Sequence, residues 1–398
     1  MATQSDTTST AVTTPEQFIP LSEPHLQGRE WEYVRECLDT GWVSTAGPFV
    51  ERFESDIARY TETSHAVATM NGTSALHAAL MALGIGPDDE VLVSTLTFIA
   101  SANAIRYVGA HPVLIDAEPQ YWQMDPALVS DFLSNQCRMV DGILRNRSTD
   151  RRVRAIMPVH ILGHPVDLEQ LIGLARRFDL SVIEDAAESL GAEYQNKRIG
   201  SFGDVTCFSF NGNKTITAGA GGMIVTNNGV IADRARYLTT QAKSDPVEYE
   251  HTEVGYNYRM SNVAAAIGVA QLECIDSVIS RKRAIASTYR SSLSLSGWRW
   301  HQEADRVFST QWLSTAFIDP DIAKITATEL RGHLHERQIQ TRRLWRPMHA
   351  NPPYADCHKV LTGVADTIAG NALSFPSSAS LTASDQHRVC RAVASILG

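Results

Sequence analysis

The stretch from Phe208 to Val225, FSFNGNKTITAGAGGMIV, has two apolar segments around a polar, glycine-rich centre that contains one lysine, Lys214. Alternation in the first segment places Phe208 and Phe210 on one face of a strand and Ser209 on the other. The glycines predict a tight loop between two strands. Most loop lysines are solvated, so two interpretations are open: a surface turn, or an amine at the floor of a pocket.

Apolar strand patterns and amphipathic helix patterns alternate around this stretch. Strands are predicted at HAVATM, DEVLVS, HPVLIDA, VRAIMPVHI, LSVIEDA, VTCFSF and GMIVT, and helices at TSALHAALMAL, FIASANAIRYV and DLEQLIGLARRF. This alternation is typical of a mostly parallel sheet with helices on both faces. The sequence therefore predicts an α/β fold, in which ligands bind at the carboxyl ends of the strands.

Composition and periodicity divide the chain into three segments. The Thr/Ser-rich residues 1–17 predict a disordered tail, and residues 18–270 carry the strand–helix alternation of a large domain. One uninterrupted helix is predicted from Ser261 to Leu293. Residues 271–398 are predicted to form this linking helix and a smaller C-terminal α+β domain.

Charge and composition argue against several classes of function. The formal net charge is −9 and no Lys/Arg-rich run could track a phosphate backbone, so nucleic acid is not an expected partner. No apolar stretch reaches about 18 residues, so no membrane span is expected. The N-terminus lacks the basic start and apolar core of a secretory signal. The six scattered cysteines favour reduced thiols in a cytoplasmic protein without a disulfide framework or a metal site.

Three polar residues and a glycine follow the first predicted strand. Asn71, Gly72, Thr73 and Ser74 lie between this strand and a helix, where free N–H groups and hydroxyls could hold a phosphate. The same residues could be an ordinary helix N-cap, since Ser and Thr are common caps. Both interpretations are open from the residues alone.

Acidic residues lie at the end of the predicted strand LSVIEDA and just after it. Glu184 and Asp185 end it, and Glu188 comes three residues later. A carboxylate at the end of a buried strand needs a partner, which could be an arginine of this chain or a cationic ligand nitrogen. Phe98, near another strand end, could belong to the core or lie flat against a planar ligand. Pyridoxal phosphate (PLP) requires four groups: a phosphate-binding site, a carboxylate, an amine and an aromatic ring that stacks on it. The residues described above, with Lys214 as the amine, could supply all four.

The chain resembles the DegT/DnrJ/StrS family of PLP-dependent sugar aminotransferases over nearly its whole length. The motifs that carry the resemblance occur in order: GWVSTAGPFVERFE, NGTSALHAAL, TLTFIASANAI, VIEDAAESLGAEY, GSFGDVTCFSFNGNKTITAGAGGMIVT, GYNYRMSNVAAAIGVAQL and TRRLWRPMH. Within the family, QAKSDPVEY and QTRRLWRPMHANPPY are similar to the branch that makes bacillosamine- or legionaminic-type sugars. Perosamine-forming relatives are close to that branch.

The resemblance implies PLP fold type I, with a mostly parallel seven-stranded sheet and a smaller C-terminal domain. It implies a homodimer whose active sites lie at the subunit interface. Lys214 is implied to form a Schiff base with the cofactor, and Asp185 to pair with its pyridine nitrogen. The cofactor-binding residues implied by the motifs are Gly72, Thr73, Ser74, Phe98, Asp185, Glu188, Ser209, Lys214 and the partner subunit's Asn257.

The reaction implied by the resemblance moves an amino group from glutamate to C4 of a nucleotide-linked 4-keto-6-deoxy sugar. The diphosphate of that substrate needs cations or N–H groups, and each candidate arginine could instead form a surface ion pair. Arg259 is favoured because it lies beside Asn257, whereas His349 could equally be structural. The predicted substrate-binding residues are Glu188, Asn213, Lys243, Tyr258, Arg259, Arg342 and His349, with Arg343 and Arg346 as further candidates.

Two residues depart from the family pattern. Glu188 stands where relatives often have Gln or His, and Ala220 where they often have Glu or Gly. Four rival functions are weighed: a PLP-dependent sugar dehydratase, a GDP-perosamine-type synthase, a cysteine desulfurase and a non-catalytic PLP-binding regulator. Dehydratases of this type have His in place of the lysine, so Lys214 favours an aminotransferase.

Overall fold

The computed structural model describes residues 17–245 and 247–397. The disordered tail predicted for residues 1–17 therefore lies outside the described residues, apart from Gln17. The α-helices of the described residues are α1 Glu30–Thr40, α2 Pro48–Tyr60, α3 Gly72–Ala82, α4 Ala100–Tyr107, α5 Pro126–Asp131, α6 Leu168–Phe178, α7 Gly229–Thr239, α8 Asn262–Glu273, α9 Ile275–Ser292, α10 Pro320–Ala323, α11 Ala327–Glu336, α12 Val364–Asn371 and α13 Ala383–Leu397. The strands are β1 His65–Thr69, β2 Asp89–Ser94, β3 His111–Ile115, β4 Cys137–Val140, β5 Ile143–Asn146, β6 Arg152–Met157, β7 Ser181–Asp185, β8 Glu193–Tyr194, β9 Lys197–Arg198, β10 Val205–Ser209, β11 Gly222–Thr226, β12 Lys243–Asp245, β13 Glu250–His251, β14 Trp298–Trp300, β15 Val307–Phe308, β16 Ser314–Ile318, β17 Arg342–Arg343, β18 Lys359–Val360 and β19 Ala372–Phe375.

The central sheet has the order β1-β11-β10-β7-β6-β2-β3-β18. The β4–β5 hairpin joins it where Arg145 of β5 pairs with Arg152, the first residue of β6. Neighbours from β10 to β18 are parallel, whereas β11 is antiparallel to both β1 and β10. The seven strands from β1 to β3 confirm the mostly parallel sheet predicted from the alternation, and β18 and the hairpin extend it. This is the α/β architecture of PLP fold type I.

Two apolar clusters cover the two faces of this sheet. One includes Phe208 and Phe210, both fully buried, and packs against α2 and α8. The other includes the apolar face of α3 and packs against α4 and α7. Because the strands are buried on both faces, they consist of continuous apolar residues rather than alternating ones. Successive side chains of β10 still point to opposite faces, so Ser209, at the strand end, lies on the face away from Phe208.

A second, antiparallel sheet has the order β14-β16-β19-β17 and packs with α9, α11 and α13 around a third apolar cluster. This sheet lies within the C-terminal segment predicted as α+β. The same segment also supplies β18, which pairs with β3 of the central sheet. The proposed boundary at residue 270 stays a prediction.

The single helix predicted from Ser261 to Leu293 is wrong. The chain leaves helical geometry at Cys274, with φ −109° and ψ 1°, and α8 and α9 are bent by 63°. Neither glycine nor proline marks the break, so the periodic pattern continued across it. Among the described residues, no single helix is long and apolar enough to cross a membrane; only α8 and α9 taken together pass on length and composition.

Candidate active site

A cavity of about 300 Å³ opens at the carboxyl ends of β7 and β10. It lies where ligands bind in parallel α/β sheets. The sequence-predicted residues that line it are Gly72, Thr73, Phe98, Asp185, Glu188, Ser209, Asn213, Lys214 and Arg342, together with Ala220. Residues far apart in the sequence therefore meet at one site.

Lys214 lies in the loop between β10 and β11, with its amine turned into the cavity. Its Nζ donates to Oε1 of Glu188 at 3.2 Å and lies 4.5 Å from the centroid of the Trp312 ring. Only 14% of the lysine side chain is exposed. The loop is therefore a pocket floor and not a surface turn.

The N-terminus of α3 packs closely against the same loop. A Cβ on Gly72 would lie 2.8 Å from Cβ of Ser209, so a larger residue would not fit. Asn71 caps the helix by accepting a 2.8 Å bond from the N–H of Ser74. Thr73 lines the cavity, whereas Ser74 is buried outside the lining. The cap and the cradle are thus compatible: the N-terminal dipole of α3 faces a space bordered by Thr73 and Ser209.

Asp185 ends β7 and is 4% exposed. Its Oδ2 accepts a 2.6 Å hydrogen bond from Oγ of Ser101, and its Oδ1 accepts one from the N–H of Ala187 at 3.2 Å. Within residues 17–245 and 247–397, no cationic side chain forms an ion pair with it. A buried carboxylate without a cation fits a protonated ligand nitrogen.

The neighbouring acid, Glu184, has a structural role, although its partners do not include the arginine that the sequence analysis offered as the alternative. It accepts hydrogen bonds from His160 at 2.9 Å, the N–H of Gly203 at 2.7 Å and Oγ1 of Thr206 at 2.8 Å. Glu184 is fully buried and does not line the cavity. The pattern of two consecutive acids could not by itself assign these separate roles.

Glu188 is 5% exposed and holds the Lys214 amine from inside the protein. Its Oε2 accepts a 2.8 Å bond from the N–H of Leu162, which has the left-handed φ of 59°. Burial raises the pKa of Glu188 above its ordinary value, while Lys214 and this N–H act in the opposite direction. The carboxyl is therefore a fixed partner of the amine.

Three aromatic side chains border the cavity. Phe98 is 54% exposed, so it is available to a planar ligand and is not part of the core. Trp312 and Trp345 also line the cavity, and neither was predicted from the sequence. Trp312 Nε1 donates to the carbonyl of Asn213 at 2.7 Å, which fixes its ring beside the Lys214 loop. No local signal in the sequence identifies Trp312, because Asn213 and Lys214 lie about 100 residues before it.

Several predicted substrate residues lie elsewhere. Lys243, Asn257 and Arg259 line a separate cavity of about 380 Å³. Tyr258 contacts Nδ1 of His77 through its hydroxyl, at 3.2 Å. His349 does not line the Lys214 cavity; it contacts Thr95 and Asp366, as its structural alternative predicted. Within one chain, these residues do not join the Lys214 site.

The described residues fit PLP. Lys214 supplies an amine, Asp185 supplies a carboxylate without a cation, and the N-terminus of α3 beside Ser209 supplies a place for a phosphate. Phe98 presents an exposed ring to the same space. Fold and site together define a PLP-dependent enzyme of fold type I.

Comparisons with known proteins identify the family within this class. The model of the DegT/DnrJ/EryC1/StrS aminotransferase family matches residues 24–394. A GDP-perosamine synthase of Escherichia coli O157:H7 is 40% identical over 382 residues, covering 95% of this chain and 98% of the relative. One of Caulobacter vibrioides is 39% identical over 381 residues, covering 95% and 98%. The crystal structure of S. venezuelae DesV, in complex with a ketimine intermediate, is 33% identical with a TM-score of 0.84, covering 96% of this chain and 99% of DesV. The chain belongs to this family and is a PLP-dependent sugar aminotransferase.

Proposed function

We propose that this enzyme transfers the amino group of glutamate to C4 of a nucleotide-linked 4-keto-6-deoxy sugar in surface-glycan synthesis. The observation that carries the proposal is the Lys214 amine, held 3.2 Å from Glu188 in a cavity that Asp185 also lines. A transferable amino group requires an amine that can give up its place and then act as a base. Lys214 lines the cavity, so its amine could both release the cofactor and act as the base.

The cofactor would be held at several points of this cavity. Thr73, Ser209 and the N-terminus of α3 would bind its phosphate, and Phe98 would lie against its ring. Asp185, positioned by Ser101, would hold a proton at the ring nitrogen. Lys214 would hold the aldehyde carbon.

When bound, PLP supplies an electron sink that stabilises a carbanion at the carbon next to the amino group. The Nζ of Lys214 would move a proton to and from the α-carbon of the donor. Asp185 would favour this transfer by holding a proton at the ring nitrogen. Glu188 orients the lysine between transfers, and its carboxyl is also close enough to the cavity to meet a sugar hydroxyl.

The keto sugar is proposed from the similarity to known enzymes. Two relatives of about this length are GDP-perosamine synthases. They make the perosamine-type reaction a stronger candidate than the bacillosamine or legionaminic branch. A GDP-linked 4-keto-6-deoxy sugar is therefore the first substrate to test.

We propose a cytoplasmic homodimer with shared active sites. Asn257 is exposed, and it lies with Lys243 and Arg259 in a cavity apart from Lys214. In a homodimer, the partner subunit's Asn257 could reach the cofactor phosphate. Size-exclusion chromatography with light-scattering detection should give the mass of two chains.

The direct test offers the purified enzyme GDP-, UDP- and dTDP-linked 4-keto-6-deoxy sugars with glutamate. Mass spectrometry and NMR would identify the amino sugar and its C4 configuration. We expect a 4-amino product with at least one nucleotide, GDP first. Conversion of glutamate to 2-oxoglutarate without any amino sugar would contradict the assignment of the acceptor.

The sugar dehydratase is the second candidate function. It would release water from the sugar and form no amino sugar, so the same product analysis separates it. Lys214 in the cavity argues against it, because the similar dehydratases have histidine at that position.

A further inference from the structure

Two groups contact the amine of Lys214: the carboxylate of Glu188 and the ring of Trp312. Nζ lies 3.2 Å from Oε1 of Glu188 and 4.5 Å from the centroid of the indole ring. The face of an indole ring carries negative charge density and attracts a cation at this distance. The amine is therefore placed where two groups attract a positive charge.

The indole ring is held in this position by other contacts of Trp312. Its Nε1 donates to the carbonyl of Asn213, the residue before Lys214, at 2.7 Å. The backbone carbonyl of Trp312 accepts a 3.1 Å hydrogen bond from Nζ of Lys282. The side chain is only 1% exposed, although it lines the cavity. The ring and the Lys214 loop are therefore tied together.

A single residue, Leu162, connects the acid to the indole. Its N–H donates to Oε2 of Glu188 at 2.8 Å, and its carbonyl accepts from the N–H of Trp312 at 3.2 Å. Leu162 has a φ of 59°, a left-handed conformation that few residues other than glycine adopt. Such conformations persist where the surroundings fix them, and they concentrate at functional sites. The turn at Leu162 thus sets the spacing between the two groups that contact the amine.

The residue after this turn is packed too closely for the turn to shift. A Cβ on Gly163 would overlap Oγ1 of Thr310. The N–H of Thr310 donates to the carbonyl of Gly163 at 3.1 Å, and its hydroxyl donates to the carbonyl of Glu188 at 3.2 Å. The chain just before Trp312 is therefore bound both to the turn and to Glu188.

We infer that the ring of Trp312 holds the amine of Lys214 as a cation while the amine is not bonded to the cofactor. The inference rests on the proposed function, in which the amine is released and takes a proton from the α-carbon of the donor. Nζ then carries a positive charge, which the indole face and the carboxylate of Glu188 attract together. Trp312 is thus a positioning residue that keeps the base in the cavity for the next proton transfer.

Two other roles for the ring predict different kinetics. Trp312 belongs to an apolar cluster on one face of the central sheet, so it could serve for packing alone. It also lines the cavity, so it could lie against the sugar. Packing depends on the shape of the ring, and a contact with the sugar would affect KM for the sugar nucleotide. Only the binding of a cation makes the rate of proton transfer depend on the electron density of the ring.

Replacement of Trp312 by tryptophans with one, two or three ring fluorines tests this role directly. Fluorine withdraws electron density from the ring face with little change in shape, so the attraction for a cation weakens stepwise. Fluorine also makes the indole N–H a stronger donor to Asn213, so an effect of that hydrogen bond would have the opposite sign.

The rate to measure is that of the glutamate half-reaction of the holoenzyme, followed by the cofactor spectrum. It should fall stepwise along the series, by about fivefold with three fluorines, while KM for the sugar nucleotide stays unchanged. The same replacements at Trp298 are the matched control. Trp298 packs against Phe375 and does not line the cavity, so the rate should not change.

Two ordinary substitutions extend the series. Trp312→Leu removes the ring, so the half-reaction should be about tenfold slower than in the wild type. Trp312→Phe keeps an aromatic face but loses the hydrogen bond to Asn213, and it should keep more of the rate than Trp312→Leu. The fluorinated proteins preserve the shape of the side chain, so they test the ring even if Trp312→Leu does not fold.

The apoenzyme provides a readout that does not depend on activity. Lysine amines are labelled with isotope-enriched methyl groups, and the NMR signal of Lys214 is identified by its absence in Lys214→Met. Because the amine lies over the indole face, its methyl signal should be shifted upfield by the ring current. In Trp312→Leu the signal should return to the position of the other lysines.

Three results would overturn the inference: an unchanged half-reaction rate across the fluorine series, a change confined to KM for the sugar nucleotide, or a rate that rises with fluorination. In each case the wild type would still form the amino sugar. Failure of the proposed function would instead remove that product. The two failures are therefore distinguishable.

Discussion

Two lysines contact Trp312, and their surroundings differ. Lys214 lies over the ring and pairs with Glu188 in an open cavity. Lys282 is 3% exposed and donates to the carbonyls of Trp312 and Ser377, at 3.1 and 2.8 Å. Burial lowers the pKa of Lys282 to about 8, yet Lys282 does not line the Lys214 cavity. Burial alone therefore does not make a reactive lysine; access and a positioned acid are also required.

The largest effect should come from removing the lysine in the cavity. Lys214→Ala should lower the transamination rate by at least about 10⁴-fold, since one side chain both anchors the cofactor and moves the proton. Lys282→Met is the control and should keep kcat within about tenfold, because it only loses two hydrogen bonds to carbonyls. Steady-state rates with glutamate and the keto sugar check both. Many turnovers by Lys214→Ala would contradict the comparison.

The sequence predicted those features of the Lys214 site that depend on local pattern. Alternation separated Ser209, which lines the cavity, from its two neighbouring phenylalanines, which lie in the core, whereas the choice of Asp185 over Glu184 came from the family resemblance. Trp312 could not be predicted, because its contact with Lys214 joins distant parts of the chain. The role of Arg259 stays a prediction: it lies beside Asn257, as the sequence predicted, but in a cavity apart from the Lys214 site of the same chain.

The helix break at Cys274 is the clearest failure of local pattern. The apolar spacing runs through it without Gly or Pro, and α8, before the break, packs against α1 and α2. The same turn sends α9, with Lys282, toward the C-terminal cluster. The position of Lys282 therefore depends on tertiary packing.

Asp185, the acid proposed to hold a proton at the ring nitrogen, should give the next largest effect. Asp185→Asn should lower kcat about 10²- to 10³-fold and weaken cofactor binding, because an amide does not keep the ring nitrogen protonated. Ser101→Ala, which removes only the 2.6 Å hydrogen bond to Asp185, should have a smaller effect of the same kind. Cofactor dissociation constants and rates would be measured for both. Unchanged activity in Asp185→Asn would place the acid elsewhere.

The enclosed lysine should affect stability more than catalysis. Lys282→Met should lower the free energy of unfolding by about 2 kcal/mol near pH 10.5, because two carbonyls lose their donor, and by less at pH 7. In the wild type the depressed pKa of Lys282, about 8, makes the unfolded state bind more protons between pH 8 and about 10.5. Its contribution is therefore present above the unfolded pKa and lost as the pH falls through 8. Denaturant unfolding should show the wild type gaining on Lys282→Met across this range; a constant difference would contradict the lysine assignment.

The smallest effect concerns the acid that distinguishes Lys214 from Lys282. Glu188→Gln keeps hydrogen bonds with Lys214 and Leu162 but loses the charge, so kcat should fall only about fivefold. Burial raises the pKa of Glu188, so wild-type activity should fall on acidification earlier than for an ordinary glutamate. The variant should lack that acidic limb in a pH–rate profile. An identical limb in both proteins would show that another group titrates.

The central claim is that Lys214, and not the more deeply buried Lys282, holds the cofactor. Borohydride reduction of the holoenzyme fixes the cofactor to its lysine, and mass spectrometry of proteolytic peptides identifies that residue. We predict a single phosphopyridoxyl group on the peptide that contains Lys214, with loss of the visible absorption band. A modified Lys282, or an unmodified Lys214 peptide after full bleaching, would contradict the claim.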